Sequence, residues 1–196
     1  MPDARPGNTE RDHGDELTPR TARPNFDLMT EHVIRSAKPG DGEGLAGVWI
    51  DLCDYYAEID PEIFQVPQNN GLVESFEKDL AKPLPDGAIS LVAEVDGRIV
   101  GWIYAQVLAP TEDAQWQLLR ELGKPRLVIE ALGVERSFQR RGIGTKLVQA
   151  VEEWAVKQGA ELLNVDTYVN SPVSVPFYED GLGYKRRSVR FWKKLP

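Results

Sequence analysis

Apolar residues become periodic at Val33, and the period changes several times before the chain ends. Val33 and Ile34 suggest a short first strand. Leu45, Val48, Trp49, Leu52 and Tyr56 then fall at helical spacing behind Pro39 and Asp41, with Gly42, Gly44 and Gly47 weakening the helix start. Leu72, Phe76 and Leu80 recur every four residues and predict a second short helix ending before Pro83. Residues 89–95 and 98–107 are β-rich runs on either side of Asp96-Gly97, the strongest short hairpin signal. Thr111 as N-cap, with Trp116, Leu119 and Leu122 on one side, predicts an inserted helix over 111–122. A strand is expected over 127–134. A helix follows from about Gly142 to Gln158, with Ile143, Leu147, Val151, Trp154 and Ala155 as its buried stripe and Gly159 closing it. Residues 162–168 read as a strand, a short helix surrounds Phe177-Tyr178, and 184–192 is expected to close the sheet. Strand, helix and strand across 127–168 imply parallel neighbours. The expected fold class is mixed α/β, with an antiparallel first half and a parallel strand pair in the second.

Composition divides the chain. Residues 1–30 are rich in Pro, Gly and mixed charge and are expected to be a disordered leader, whereas 31–196 make one domain. The 196 residues are 41% hydrophobic, enough for a core without staples. A net charge of −8 argues against a surface that tracks nucleic-acid phosphates and is compatible with a cationic acceptor. One cysteine, Cys53, and two histidines leave no multi-cysteine site, and no metal is expected. No apolar run is long enough for a membrane span, so no membrane partner is expected and the cytoplasm is the default compartment.

The segment Gln139-Arg140-Arg141-Gly142-Ile143-Gly144-Thr145 stands between a strand and a helix. Two glycines there let the backbone approach a ligand closely. The helix start points unpaired N–H groups and its positive dipole end at the same place, which favours an anion. Gly144-Thr145-Lys146 is in the wrong order for a Walker loop, and Leu147 occupies the place of the third small residue of a dinucleotide fingerprint. On these residues alone, a helix start that binds nothing stays open.

The run Gln-x-x-Gly-x-Gly after a strand ending Leu132-Gly133-Val134 resembles the cofactor motif of the GNAT superfamily of acetyl-CoA-dependent N-acetyltransferases. The likeness extends over about 32–195, through the Asp96-Gly97 hairpin, Asn170, and the late Phe177-Tyr178-Glu179 and Leu182-Gly183-Tyr184. It implies the fold of that superfamily, acetyl-CoA as donor co-substrate, and a role for each matching position. Main-chain groups of Leu132 and Val134 are expected to pair with the pantetheine arm as an added strand. N–H groups over Arg140, Arg141, Gly142, Ile143, Gly144 and Thr145, with Gln139 beside them, are expected to hold the pyrophosphate. Asn170 is expected to bond the pantetheine amide, and Tyr178 to return a proton to the departing thiolate. One departure stands out. Asn170 and Tyr178 are one residue further apart than the family spacing, Pro172 and Pro176 lie between them, and Glu179-Asp180-Gly181-Leu182-Gly183 carries another extra residue. The late helix is therefore expected to start near Val175.

An alkyl amine is neutral in only roughly one molecule in 2,500 at pH 7, so a base is needed. Glu130 is the candidate, because alternation puts it on the face of Leu132 and Val134; a structural ion pair is an equal reading. Tyr55, Tyr56 and Glu58, with Asp54, Asp60, Glu62 and the inserted Trp116 helix nearby, are the candidate acceptor residues, against a solvated loop with tyrosines on the core. The basic tail over 185–194 reads as a solvated edge strand rather than a nucleic-acid site. The leading function is N-acetylation of a primary amine, on a small molecule or a peptide, by direct attack in a ternary complex. Transfer of another acyl group, a non-catalytic acyl-CoA-binding module and a plain interaction domain are the alternatives. The 111–122 insertion is a candidate homodimer contact.

Overall fold

The computed structural model describes residues 32–68 and 70–195; the leader expected over 1–30 lies outside the described residues. Five strands form one sheet in the order β1-β2-β3-β4-β5. They are β1 (Val33–Ser36), β2 (Ala88–Val95), β3 (Arg98–Leu108), β4 (Arg126–Val134) and β5 (Leu162–Val165), and the helices are α1 (Gly42–Ile59), α2 (Leu72–Leu80), α3 (Ile143–Lys157) and α4 (Ser174–Pro176). The first four strands are antiparallel neighbours, and β5 runs parallel to β4, as the periodicity implies. No helix among the described residues is long and apolar enough to cross a membrane.

The two faces of the sheet are covered differently. On one side α3 buries Ile143, Leu147, Val148 and Val151 against Val100, Ile103, Ala105, Leu127 and Ile129. On the other, Leu45 of α1 packs with Val92, Ile99 and Trp102. The approach of α1 is close because of glycine. A β-carbon on Gly133 would stand 2.7 Å from Val48 Cγ1, and one on Gly44 would stand 2.5 Å from Ile99 Cβ. The start of α1 is supplied with acceptors by α2, where Glu77 takes the N–H of Gly42 at 2.6 Å and of Gly40 at 2.9 Å. Asp41 does not cap the helix with its side chain. Its carboxylate takes both terminal nitrogens of Arg35 and the N–H of Lys38 instead, and the Arg35 hydrogen bond holds it below the usual carboxylate range.

Three expectations are corrected. The helix over 111–122 is absent: Asp113 takes a left-handed φ of 60°, and the stretch folds into two short turns, Ala114–Trp116 and Arg120–Gly123. Thr111 gives its N–H to Leu122 O at 2.7 Å, closing the excursion as a loop, and Trp116 is 77% exposed. Residues 184–192 add no strand. That segment is held by ion pairs from Arg186 to Glu179 and from Arg187 to Glu121, with Phe191 and Trp192 exposed, so the sheet ends at β5. The fifth strand stops at Val165 rather than at 168, because the chain there turns to meet α1. The late helix starts at Ser174 and runs on into a π-turn, Phe177–Gly181. That wider turn absorbs the extra residue before Tyr184, whose N–H reaches the carbonyl of Tyr178 at 2.8 Å.

Candidate active site

The functional cleft begins where two strands part. β4 and β5 pair from Arg126↔Leu162 to Ile129↔Val165, after which β5 ends and β4 continues to Val134. Glu135 donates its N–H to Val100 O on β3 at 2.9 Å. By the two-residue alternation of strand groups, the main-chain groups of Leu132 and Val134 face the other way, along the edge that β5 has left. The cleft beside that edge has a volume of about 1600 Å³, and Leu132, Val134, Gly142, Gly144 and Tyr178 line it together.

Glu130 reaches the cleft for a different reason from the one alternation gives. The β3 partners skip it, Tyr104 pairing with Ala131 and Ala105 with Ile129, so Glu130 is the extra residue of a bulge. Parity changes there. Ile129, Leu132 and Val134 all belong to the α3-side core, while Glu130 is exposed in the cleft. Tyr104, which burial and the Glu130 charge push above the ordinary phenol range, alternates with Ile103 and Ala105 on the face away from α3.

At the head of the cleft the glycine turn has the form an anion needs. Arg140 and Gly142 both take left-handed φ, 62° and 80°, and reverse the chain into α3. The first intrahelical bond is from Lys146 N–H to Gly142 O at 3.0 Å, so the N–H groups of Ile143, Gly144 and Thr145 precede any carbonyl partner within the helix. These three residues and Arg140 line the cleft. Gln139 also lines it, but its side-chain amide donates to Val134 O at 3.0 Å and ties the turn to the strand end. Arg141 is a correction: its guanidinium lies 4.9 Å over the Phe138 ring and donates to Ser137 O at 3.0 Å, away from the cleft lining. Opposite the turn, Gly144 leaves room for the Phe177 ring, 3.5 Å from where a β-carbon would stand.

The facing wall is held by hydroxyls. The Tyr55 hydroxyl lies 2.7 Å from Ser171 Oγ, and the Tyr56 hydroxyl bonds Thr167 Oγ1 at 3.0 Å and Ser174 Oγ at 3.1 Å. Tyr168 donates to Asp60 at 2.5 Å, and the Phe64 ring packs between Tyr56 and Tyr168 with centroids 5.0 and 5.2 Å away. Tyr55 and Tyr56 therefore line the cleft with their rings while their hydroxyls are engaged. Glu58 is corrected: it is exposed outside the lining and pairs with Arg136 at 3.0 Å. Phe64, Thr167, Tyr168, Ser171 and Ser174 were not anticipated. The only signal for the last four was the density of hydroxyl residues over 167–174, which names no partners.

Tyr178 stands between the two walls. It is 9% exposed, stacked on Tyr184 with centroids 5.6 Å apart and 12° between planes. No buried side-chain polar atom among the described residues lacks a partner. Among the described residues the Tyr178 hydroxyl has no hydrogen-bond partner, so it is the open end of the ring, at the cleft. Burial, with a smaller contribution from Tyr56, pushes its ionisation well above the ordinary phenol range, which keeps it a proton donor.

The model of the acetyltransferase (GNAT) family matches residues 49–184. The chain belongs to this family of acyltransferase enzymes. A probable N-acetyltransferase, camello, of Xenopus tropicalis is 30% identical over 112 residues, which are 57% of this chain and 45% of that protein. The chain thus matches less than half the length of that relative. Among solved structures, a transcriptional regulator from Bacillus halodurans C-125 aligns over 84% of this chain and 100% of its own, at 23% identity and a TM-score of 0.62. The aminoglycoside N-acetyltransferase AAC(6')-Iy in complex with CoA aligns over 91% of this chain and 99% of its own, at 21% identity and a TM-score of 0.57. At these identities both structures speak for the fold.

Within the GNAT frame the late spacing acquires a reading. Asn170 is exposed and does not line the cleft. Ser171, one residue nearer to Tyr178 and so at the family spacing, is 2% exposed and bonded to the Tyr55 hydroxyl and the Ser174 N–H. Neither Asn170 nor the buried Ser171 is part of the cleft lining, so Asn170 stands outside the place expected for it.

Proposed function

We propose that this chain transfers the acetyl group of acetyl-CoA to a primary amine, by direct attack within a ternary complex. The observation that carries the reading is the free edge of β4 leading from Ile129 to Val134 and on to the unpaired N–H groups of Ile143, Gly144 and Thr145. The edge suits an extended arm bearing amides, and the helix start suits a pyrophosphate. The family match and the CoA-bound aminoglycoside N-acetyltransferase of similar fold support the same donor.

When bound, acetyl-CoA supplies a thioester carbonyl open to attack. Leu132 and Val134 orient its arm through main-chain groups. Ile143, Gly144, Thr145 and Arg140 hold the pyrophosphate by N–H groups, dipole and charge. Glu130 takes the proton of the attacking amine, directly or through water. Tyr178 gives the hydroxyl proton to the leaving sulfur, and its burial keeps that proton in place until then. Of the groups expected for the arm amide, Asn170 is withdrawn, so the β4 edge bears that task.

The test is a calorimetric titration with acetyl-CoA, followed by thiol release with amine acceptors. Gly144→Glu is the control, because its new carbon makes only ordinary contacts while its carboxylate enters the anion site. The wild type should bind, and the variant should lose at least about a hundredfold in affinity, the size of a lost set of charge-assisted bonds. A wild type that binds no acetyl-CoA removes the donor reading.

A further inference from the structure

The last rung between β4 and β5 is Ile129↔Val165, and both side chains belong to the α3-side core. The next residue on each strand is a carboxylate, Glu130 on the bulge of β4 and Asp166 beyond the end of β5. Both carboxylates are exposed, and both line the cleft. They flank the mouth of the wedge in which the donor arm is read to lie.

Other carboxylates nearby have partners. Asp51 takes the Arg136 N–H, Glu58 the Arg136 guanidinium, and Asp60 the Tyr168 hydroxyl and the Glu62 N–H. Glu130 and Asp166 have no Lys or Arg nitrogen within 4.0 Å among the described residues, although Arg190 lines the same cleft. A third exposed carboxylate of the lining, Asp180, lies beyond Tyr178 in the π-turn. The nine-tenths-buried Tyr178 ring opens its unpaired hydroxyl on this cleft, marking it independently as a place made for a ligand.

One neutral nitrogen, which is all the transfer reaction needs, does not call for two unpaired carboxylates. The reacting amine gives up its charge before attack and leaves one of them unanswered. We infer that Asp166 is a specificity-determining residue that binds a second, protonated nitrogen of the acceptor, so that the substrate class is diamines and larger polycationic amines rather than monoamines. The rings of Tyr55, Tyr56, Phe64 and Tyr168 opposite give that ammonium an aromatic wall. This inference rests on the acetyl-transfer reading of the same cleft.

The experiment compares cadaverine with pentylamine, equal in chain length and differing in one ammonium, as acceptors for the full chain with acetyl-CoA. The wild type should favour cadaverine in kcat/KM by roughly tenfold to a hundredfold, the range for one bond to a charged group. Asp166→Asn should erase most of that preference by raising KM for cadaverine, with kcat little changed, and Asp166→Glu should restore part of it. Equal use of both amines by the wild type overturns the inference, and so does an Asp166→Asn variant that keeps the preference. Turnover of neither amine by a chain that binds acetyl-CoA overturns it too and leaves the donor site standing. Failure to bind acetyl-CoA instead sinks the donor reading itself.

Discussion

The two walls of the cleft are made from different materials. The wall of β4 and the first turn of α3 offers main chain: a strand edge without a neighbour and N–H groups without helical acceptors. The wall of α1, the 60–68 loop and 166–174 offers side chains, joined hydroxyl to hydroxyl across a gap of 116 residues for Tyr55 and Ser171 and hydroxyl to carboxylate across 108 for Tyr168 and Asp60. A main-chain wall tolerates almost any side chain that leaves its path open, and a few glycines keep that path. A side-chain wall changes its chemistry with each substitution. On the acetyl-transfer reading, a constant donor site facing a variable acceptor site would follow from that difference in construction.

The sharpest way to break this comparison lies at the seam, in Tyr178. Tyr178→Phe removes one oxygen, keeps the stack on Tyr184, and leaves the main-chain wall untouched. It should lower kcat about a hundredfold to ten-thousandfold with acetyl-CoA affinity held, as stopped thiol-release assays and calorimetry would read. The pH dependence has a definite sign. Burial raises the folded phenol above its unfolded value of 10.0, so the neutral ring stabilises the fold below pH 10 and that contribution fades as pH rises through the folded value. Wild type should therefore lose stability above pH 10 more steeply than Tyr178→Phe. An unchanged kcat would leave Tyr178 as packing alone.

The difference between the walls also explains what the sequence disclosed. Asp96-Gly97, the stripe of α3 and the glycines at 142 and 144 act over a few residues, so the hairpin, the crossover and the anion turn were legible at once. The bulge at Glu130 was not, because Ile129-Glu130-Ala131-Leu132 reads as plain alternation and only the pairing with Tyr104 and Ala105 displaces one residue. The parity argument chose a cleft residue by a faulty route. Thr111 looked like a cap until Asp113 turned left-handed, and the tail looked like a strand although its arginines are claimed by Glu179 and Glu121. Arg141 and Glu58 left the candidate site because each is engaged elsewhere, Arg141 by the Phe138 ring three residues away and Glu58 by Arg136, which is distant in sequence. The extra residue before Tyr178 announced a register problem without saying that Asn170 would fall outside the cleft lining or that Ser171 would bond Tyr55.

Gly133→Ala tests whether the donor wall depends on backbone space. The added carbon would meet Val48 Cγ1 at 2.7 Å, on a valine that is 1% exposed, so α1 or β4 has to move. A loss of about 2 kcal/mol is expected, measured as a lower urea midpoint with an unchanged slope. Gly144→Ala on the same wall adds a carbon at 3.5 Å from Phe177 and should stay within about 0.5 kcal/mol of wild type. Equal effects from the two would mean that the wall is not limited by the approach of α1.

Tyr55→Phe asks the matching question of the other wall, and its effect should be smaller than that of Gly133→Ala. The hydroxyl lost is shared with Ser171 Oγ at 2.7 Å and receives the Val173 N–H at 3.2 Å. Ser171 is 2% exposed and keeps the Ser174 N–H as donor, so its oxygen is not left wholly unpaired. The expected cost is therefore about 1 kcal/mol, a net hydrogen bond rather than a buried orphan. The functional consequence should be confined to one wall. KM for the amine should rise as the 171–174 turn loosens, while calorimetric affinity for acetyl-CoA stays where it was, because the hydrogen bonds of the Tyr55 hydroxyl go to Ser171 and Val173 and not to β4 or α3. A parallel fall in acetyl-CoA affinity would show that the walls are mechanically coupled through Ser174 and the Phe177 ring that faces Gly144, and the division into two independent halves would have to be given up.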